Sequence, residues 1–97
     1  MKPLILTDQL RKVAQQSVWF EPPEQAIQNI PRFVAYVFTY GTYAATQALR
    51  QQLSKAELTE CLDQAPAGIY DKRSWAYWQL VVADRFETPP MPVRTFD

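Results

Sequence analysis

Pro31-Arg-Phe-Val-Ala-Tyr-Val-Phe-Thr-Tyr-Gly41 is the stretch on which the fold turns. Its β-branched and aromatic residues would suit a buried strand, but the run lacks the period-two alternation of a half-buried one. Pro31 sits where the first helical turn tolerates a missing N–H, and Gly41 stands at the C′ position that favours a left-handed glycine. The stretch therefore reads as a helix over residues 31–40, apolar on nearly every face and so expected at the centre of the molecule. No other segments pair as strands bounded by hairpin turns, and the expected fold class is all-α.

Towards the N-terminus, Leu6, Leu10, Val13, Ala14 and Ser17 recur at helical spacing, with Thr7 as N-cap and Asp8 complementing the helix dipole. This predicts a first helix over about residues 8–18. Trp19-Phe-Glu-Pro-Pro23 must stop it, and Pro23 can open a short helix through Ile27 before Asn29 and Pro31 frame the central one. Towards the C-terminus, Thr42 caps a helix reaching about Leu53. Ser54-Lys-Ala-Glu57 is a capping box, the most secure boundary in the chain. The helix behind it carries Leu58, Cys61, Leu62 and Ala65 on one stripe and stops at Pro66, with Gly68 completing the turn. A last helix starts at Asp71 or Ser74 and fades before Phe86. The expected architecture is thus a compact bundle of five or six short helices within residues 1–86, followed by an extended Pro-rich tail at 87–97.

Composition narrows the functional classes. A chain of 97 residues, 47% hydrophobic and 21% charged, lies far from the signature of disorder and suits one modest core. Ten basic and ten acidic residues cancel, which argues against nucleic acid as the main partner while leaving a local basic patch open. The N-terminus lacks the apolar run of a signal peptide, and no stretch has the length of a membrane span. The single Cys61 precludes an internal disulfide and suits a reducing compartment, so the expected location is cytoplasmic.

No catalytic constellation is legible. Histidine is absent, which removes the commonest general base and metal ligand. Cys61 lies on an apolar helical stripe, would need an activating partner to act as a nucleophile, and reads as a structural thiol. Glu57 and Glu60 could share a helical face and Glu21 and Glu24 flank the proline turn, but two unaided carboxylates make neither a glycosidase nor a metal site. The expectation is a protein that is not an enzyme and needs no cofactor.

Binding is a different matter. Ala65-Pro-Ala-Gly-Ile-Tyr-Asp-Lys-Arg-Ser-Trp-Ala-Tyr-Trp-Gln-Leu80 places Lys72 and Arg73 at a helix start, where the dipole disfavours cations. They either serve an anion or acidic partner surface, or point to water, or Arg73 pairs with a carboxylate such as Asp63. Trp75 and Trp78 share a helical face while Tyr77 is rotated away, so one face packs inward and an aromatic is left as an anchor. Trp19 and Phe20 are expected against the same region. In the tail, Pro89-Pro-Met-Pro92 with Arg94 and Phe96 forms a stiff segment. It docks either in a partner's groove or back on its own helices, with Phe86, Val93 and Phe96 as tacks. The candidate partner-binding residues are Lys72, Arg73, Tyr77, Trp78, Arg94 and Phe96.

Three segments, Val18-Trp-Phe-Glu-Pro-Pro-Glu24, Arg32-Phe-Val-Ala-Tyr-Val-Phe-Thr-Tyr-Gly-Thr42 and Ala65-Pro-Ala-Gly-Ile-Tyr-Asp-Lys-Arg-Ser-Trp-Ala-Tyr-Trp78, resemble a small uncharacterised bacterial protein family. Its genes often lie beside those of abortive-infection-type nucleotidyltransferase toxins. The resemblance implies a cytoplasmic antitoxin or accessory partner of such a toxin, a non-catalytic module acting by direct binding. Two other readings stay open. Residues 42–65 have the length of a helix-turn-helix DNA-binding regulator, although the second helix sets Glu57, Glu60 and Asp63 against one Lys. Alternatively, the exposed aromatics bury against a twin copy in a structural homodimer.

Overall fold

A computed structural model of the chain describes residues 2–93. Among them are six helices and no strand: α1 (Asp8–Ser17), α2 (Pro23–Ala26), α3 (Ile30–Tyr40), α4 (Tyr43–Gln52), α5 (Lys55–Asp63) and α6 (Lys72–Ala83). The architecture is all-α. Arg94 and Phe96 of the expected tail site lie outside the described residues.

The helix starts follow from side-chain oxygens that satisfy otherwise unpaired first-turn amides. Thr7 Oγ1 accepts from the Leu10 amide, Asn29 Oδ1 from Arg32, Thr42 Oγ1 from Ala45, and Asp71 Oδ1 from Ser74. At α5 both halves of the capping box form: the Glu57 amide donates to Ser54 Oγ at 3.1 Å, and the Ser54 amide to Glu57 Oε1 at 3.0 Å. The backbone hydrogen bond and the Ser54 hydroxyl hold the Glu57 carboxyl below its ordinary value.

α3 is the central helix, as its composition demands. Phe33, Val34, Ala35 and Val37 have no exposed surface, and the helix packs against α1, α4, α5 and α6. Burying a phenylalanine such as Phe33 contributes so much that its truncation to alanine costs about 3–5 kcal/mol. α5 lies against both α3 and α6, sending Leu58, Cys61 and Leu62 into the core. Cys61 is 1% exposed, and burial, helped by Glu60 and Glu57, pushes its thiol up to about 11. It is a structural residue of the core.

Two expectations about the chain's turns and tail are corrected. Gly41 ends α3 but is not left-handed: its φ is −80°. Glycine is needed there for space, because a Cβ at this position would stand 2.5 Å from the Val37 carbonyl oxygen and 3.1 Å from Val37 Cγ1. Gly68 is the glycine with positive φ, at 87°. In the tail, Phe86 and Val93 are not tacks, being 88% and 73% exposed. The segment is held instead through Pro89, whose carbonyl accepts a 2.7 Å hydrogen bond from Trp75 Nε1, and through Met91, half-buried against the core. As far as it is described, the tail docks on its own helices.

Candidate functional site

The start of α6 gathers several of the residues singled out from sequence. Asp71 is the N-cap, so Lys72 and Arg73 occupy the first two helical positions, and both are exposed. The conflict between cations and the positive helix end is eased by Asp71. Its carboxyl is held below the ordinary value, first by the Ser74 backbone amide and side chain and then by the nearby charge of Arg73. Among the described residues neither Lys72 nor Arg73 has an ion-pair partner. The carboxylate weighed for Arg73, that of Asp63, is taken by Arg85 at 2.8 Å.

One turn further on, the aromatic residues divide as helical geometry requires. Trp75 and Trp78 point inward. The Trp78 indole stacks on Phe38 with centroids 4.0 Å apart and planes 10° from parallel, and its Nε1–H donates to the Phe38 carbonyl at 2.9 Å. Tyr77 is the outward residue, 55% exposed, standing edge-on to Trp78 at 4.9 Å. Trp78 is thus the floor of this surface and Tyr77 its projecting anchor. Phe38, Arg73, Ser74, Tyr77 and Trp78 together line an open depression of about 280 Å³. The structure brings Arg73, Tyr77 and Trp78 together, and Lys72 lies outside the depression.

Trp19 and Phe20 do not join this group, contrary to the sequence expectation. They form a second aromatic surface on another part of the molecule. The Trp19 and Phe20 rings meet edge-on at 5.7 Å, Phe20 meets Tyr36 at 5.5 Å, and Tyr36 and Tyr40 stack at 6.2 Å. The Arg32 guanidinium, paired with Glu21, lies 5.1 Å from the Tyr36 ring centroid and 5.8 Å from that of Phe20. A signal for this cluster was available in the sequence: Arg32, Tyr36 and Tyr40 follow one another at i, i+4, i+8, a polar-edged stripe on a largely apolar helix.

The two remaining surfaces carry less. The exposed side of α5 presents Glu60 and Asp63, with Lys55 at its start paired to Asp84, and the helix is wedged between α3 and α6. Among the described residues no three His, Cys, Asp or Glu side chains are grouped as a metal would require. No helix of the described residues is long and apolar enough to cross a membrane. Set beside family models, curated proteins and solved structures, the chain matches none.

Proposed function

We propose that this chain is a non-catalytic protein-interaction module that works by direct contact, and that its partner in the cytoplasm is a toxin of the nucleotidyltransferase class. The observation that carries the contact reading is the surface at the start of α6. There Tyr77 projects from a floor of stacked Trp78 and Phe38, with Arg73 lining the same depression. Tyrosine and arginine anchors on a rigid, well-packed base are the side chains that dominate binding energy at protein interfaces. A cation without an ion-pair partner among the described residues also pays little desolvation of existing bonds when it meets a carboxylate on a partner. The class of partner rests on the sequence resemblance alone.

In this account Arg73 and Tyr77 seat on the toxin and occlude its nucleotide or RNA site, and Lys72 contributes long-range attraction from the edge. Co-expression with a nucleotidyltransferase toxin encoded beside the gene tests it. A copurifying complex that weakens on Tyr77→Ala supports the reading, and no complex in repeated preparations overturns it.

A further inference from the structure

The outer face of α6 is self-complementary. The inner side of the helix, with Trp75, Trp78, Gln79 and Val82, packs on α3 and α5, while the opposite side presents Arg73, Tyr77, Leu80, Val81 and Asp84 to solvent. At 3.6 residues per turn these exposed side chains fall within a stripe about 100° wide. Its middle is apolar, with Leu80 and Val81 45% and 36% exposed beside Tyr77. A cation stands at the N-terminal end of the stripe and a carboxylate at the C-terminal end.

The order of these residues fits one arrangement. In an antiparallel pair of α6 helices related by a twofold axis, each residue faces the one equally far from the axis on the other copy. Arg73 and Asp84 are equally far from the midpoint between Tyr77 and Leu80. An axis through that midpoint therefore sets Arg73 against Asp84 of the second copy and Tyr77 against its Leu80, each contact made twice. Val81 lies on the same flank of the stripe as Ser74 and Trp78. It then stands over the second copy's depression lined by Phe38, Ser74, Tyr77 and Trp78, as a knob over a hole.

Charge selects the second copy as the occupant. Arg73 sits at the positive end of its own helix, where a cation is disfavoured, and has no ion-pair partner among the described residues. In the antiparallel pair it lies beside the negative end of the other α6 and next to Asp84, so a placement unfavourable in one copy becomes favourable in two. Asp84 receives Lys55 at Oδ2, and its Oδ1 accepts no hydrogen bond among the described residues. A parallel pair would set Arg73 against Arg73. A nucleic acid or an anionic bilayer is attracted by Arg73 but repelled by Asp84, whereas a second copy matches both ends at once.

We propose that a second copy of this chain docks on α6 in antiparallel register, forming a weak twofold dimer through Arg73, Tyr77, Leu80, Val81 and Asp84. One helix face from each copy is a small interface, which sets the dissociation constant on the order of 100 µM. The dimer is a property of the chain alone and stands whether or not the toxin reading does. Where both hold, toxin and second copy compete for Arg73 and Tyr77.

The test is sedimentation equilibrium of the purified chain from about 10 µM to about 1 mM. The expected result is a monomer–dimer equilibrium that Arg73→Glu and Asp84→Lys each weaken about tenfold, since each turns two attractive pairs into two repulsive ones. Both changes in one chain restore the attraction with its sign exchanged, and association should return to within about threefold of the parent. Leu80→Glu should abolish the dimer while leaving Arg73 and Asp84 in place, with helical circular dichroism unchanged in every variant. A chain that stays monomeric throughout overturns the proposal and leaves the face to a partner of another kind. A dimer that survives Leu80→Glu, or that Trp19→Ala weakens instead, puts the contact elsewhere and overturns it too. So does a combined variant that is folded yet fails to recover association, which excludes the antiparallel register.

Discussion

The Trp78 indole lies flat on the ring of Phe38 and donates its Nε1–H to the Phe38 carbonyl at 2.9 Å, joining α6 to the last turn of α3 twice over. That carbonyl belongs to the set a helix leaves unpaired at its C-terminal end. Trp78→Phe keeps an aromatic ring in place but orphans the carbonyl, and it should lower stability by about 2 kcal/mol. A chevron or urea-melt comparison checks this. An unchanged midpoint would mean that water satisfies the carbonyl.

Gly41 makes a second, sharper prediction because two explanations of the same glycine differ in outcome. If it were a left-handed cap, asparagine would be tolerated there. The structure places it at φ −80° with the Val37 carbonyl 2.5 Å from where a Cβ would be. Gly41→Asn and Gly41→Ala should therefore both destabilise by about 1–3 kcal/mol, through displacement of the chain behind α3. Thermal melts showing the asparagine variant equal to the parent would return the left-handed reading.

Acid sensitivity has a defined sign. Asp71 and Glu57 are held below their ordinary values of 3.8 and 4.5, chiefly by backbone hydrogen bonds at their helix starts. A carboxyl with a depressed folded value contributes stability that is fully present above the unfolded value and is lost as pH falls through the folded one. The loss should therefore begin near pH 4 and continue below it. Asp71→Asn keeps the capping bond without the titration. It should lower the neutral-pH midpoint slightly, by what the charge contributed, and flatten the acid limb, whereas Asp71→Ala, which loses the cap as well, should cost about 1 kcal/mol at neutral pH.

The Cys61 thiol, raised from 9.0 to about 11 by burial, carries about a hundredfold less thiolate at pH 8 than an exposed cysteine. Iodoacetamide should label it only after unfolding, as followed by mass spectrometry with and without guanidinium. Rapid labelling of the folded chain would show that α5 opens readily from α3 and α6.

Much of the fold was legible because its punctuation is local. Thr7, Asn29, Thr42 and Ser54 with Glu57 each act on amides two or three residues away, so sequence alone places the starts of the helices they cap, while for the last helix it leaves Asp71 and Ser74 open and the structure gives Asp71. The division of Tyr77 from Trp75 and Trp78 was legible for the same reason, as a matter of helical rotation. What was not legible depends on contacts between distant segments. Trp19 and Phe20 could not be assigned to Tyr36 without knowing how the turn after α1 crosses α3. Nor could Asp63 be given to Arg85 without knowing how α6 lies on α5. The role of Gly41 was misread because a close approach to Val37 and a left-handed turn leave the same letter in the sequence.

The central claim is that Arg73 and Tyr77 form a contact surface for a nucleotidyltransferase toxin. Calorimetric titration of that toxin with the parent chain and with a double Arg73→Glu, Tyr77→Ala variant tests it most directly. The account predicts a stable complex weakened at least about a hundredfold by the pair of changes, with the variant's melting temperature unaltered. A complex of undiminished affinity, or none with the parent chain, would contradict it.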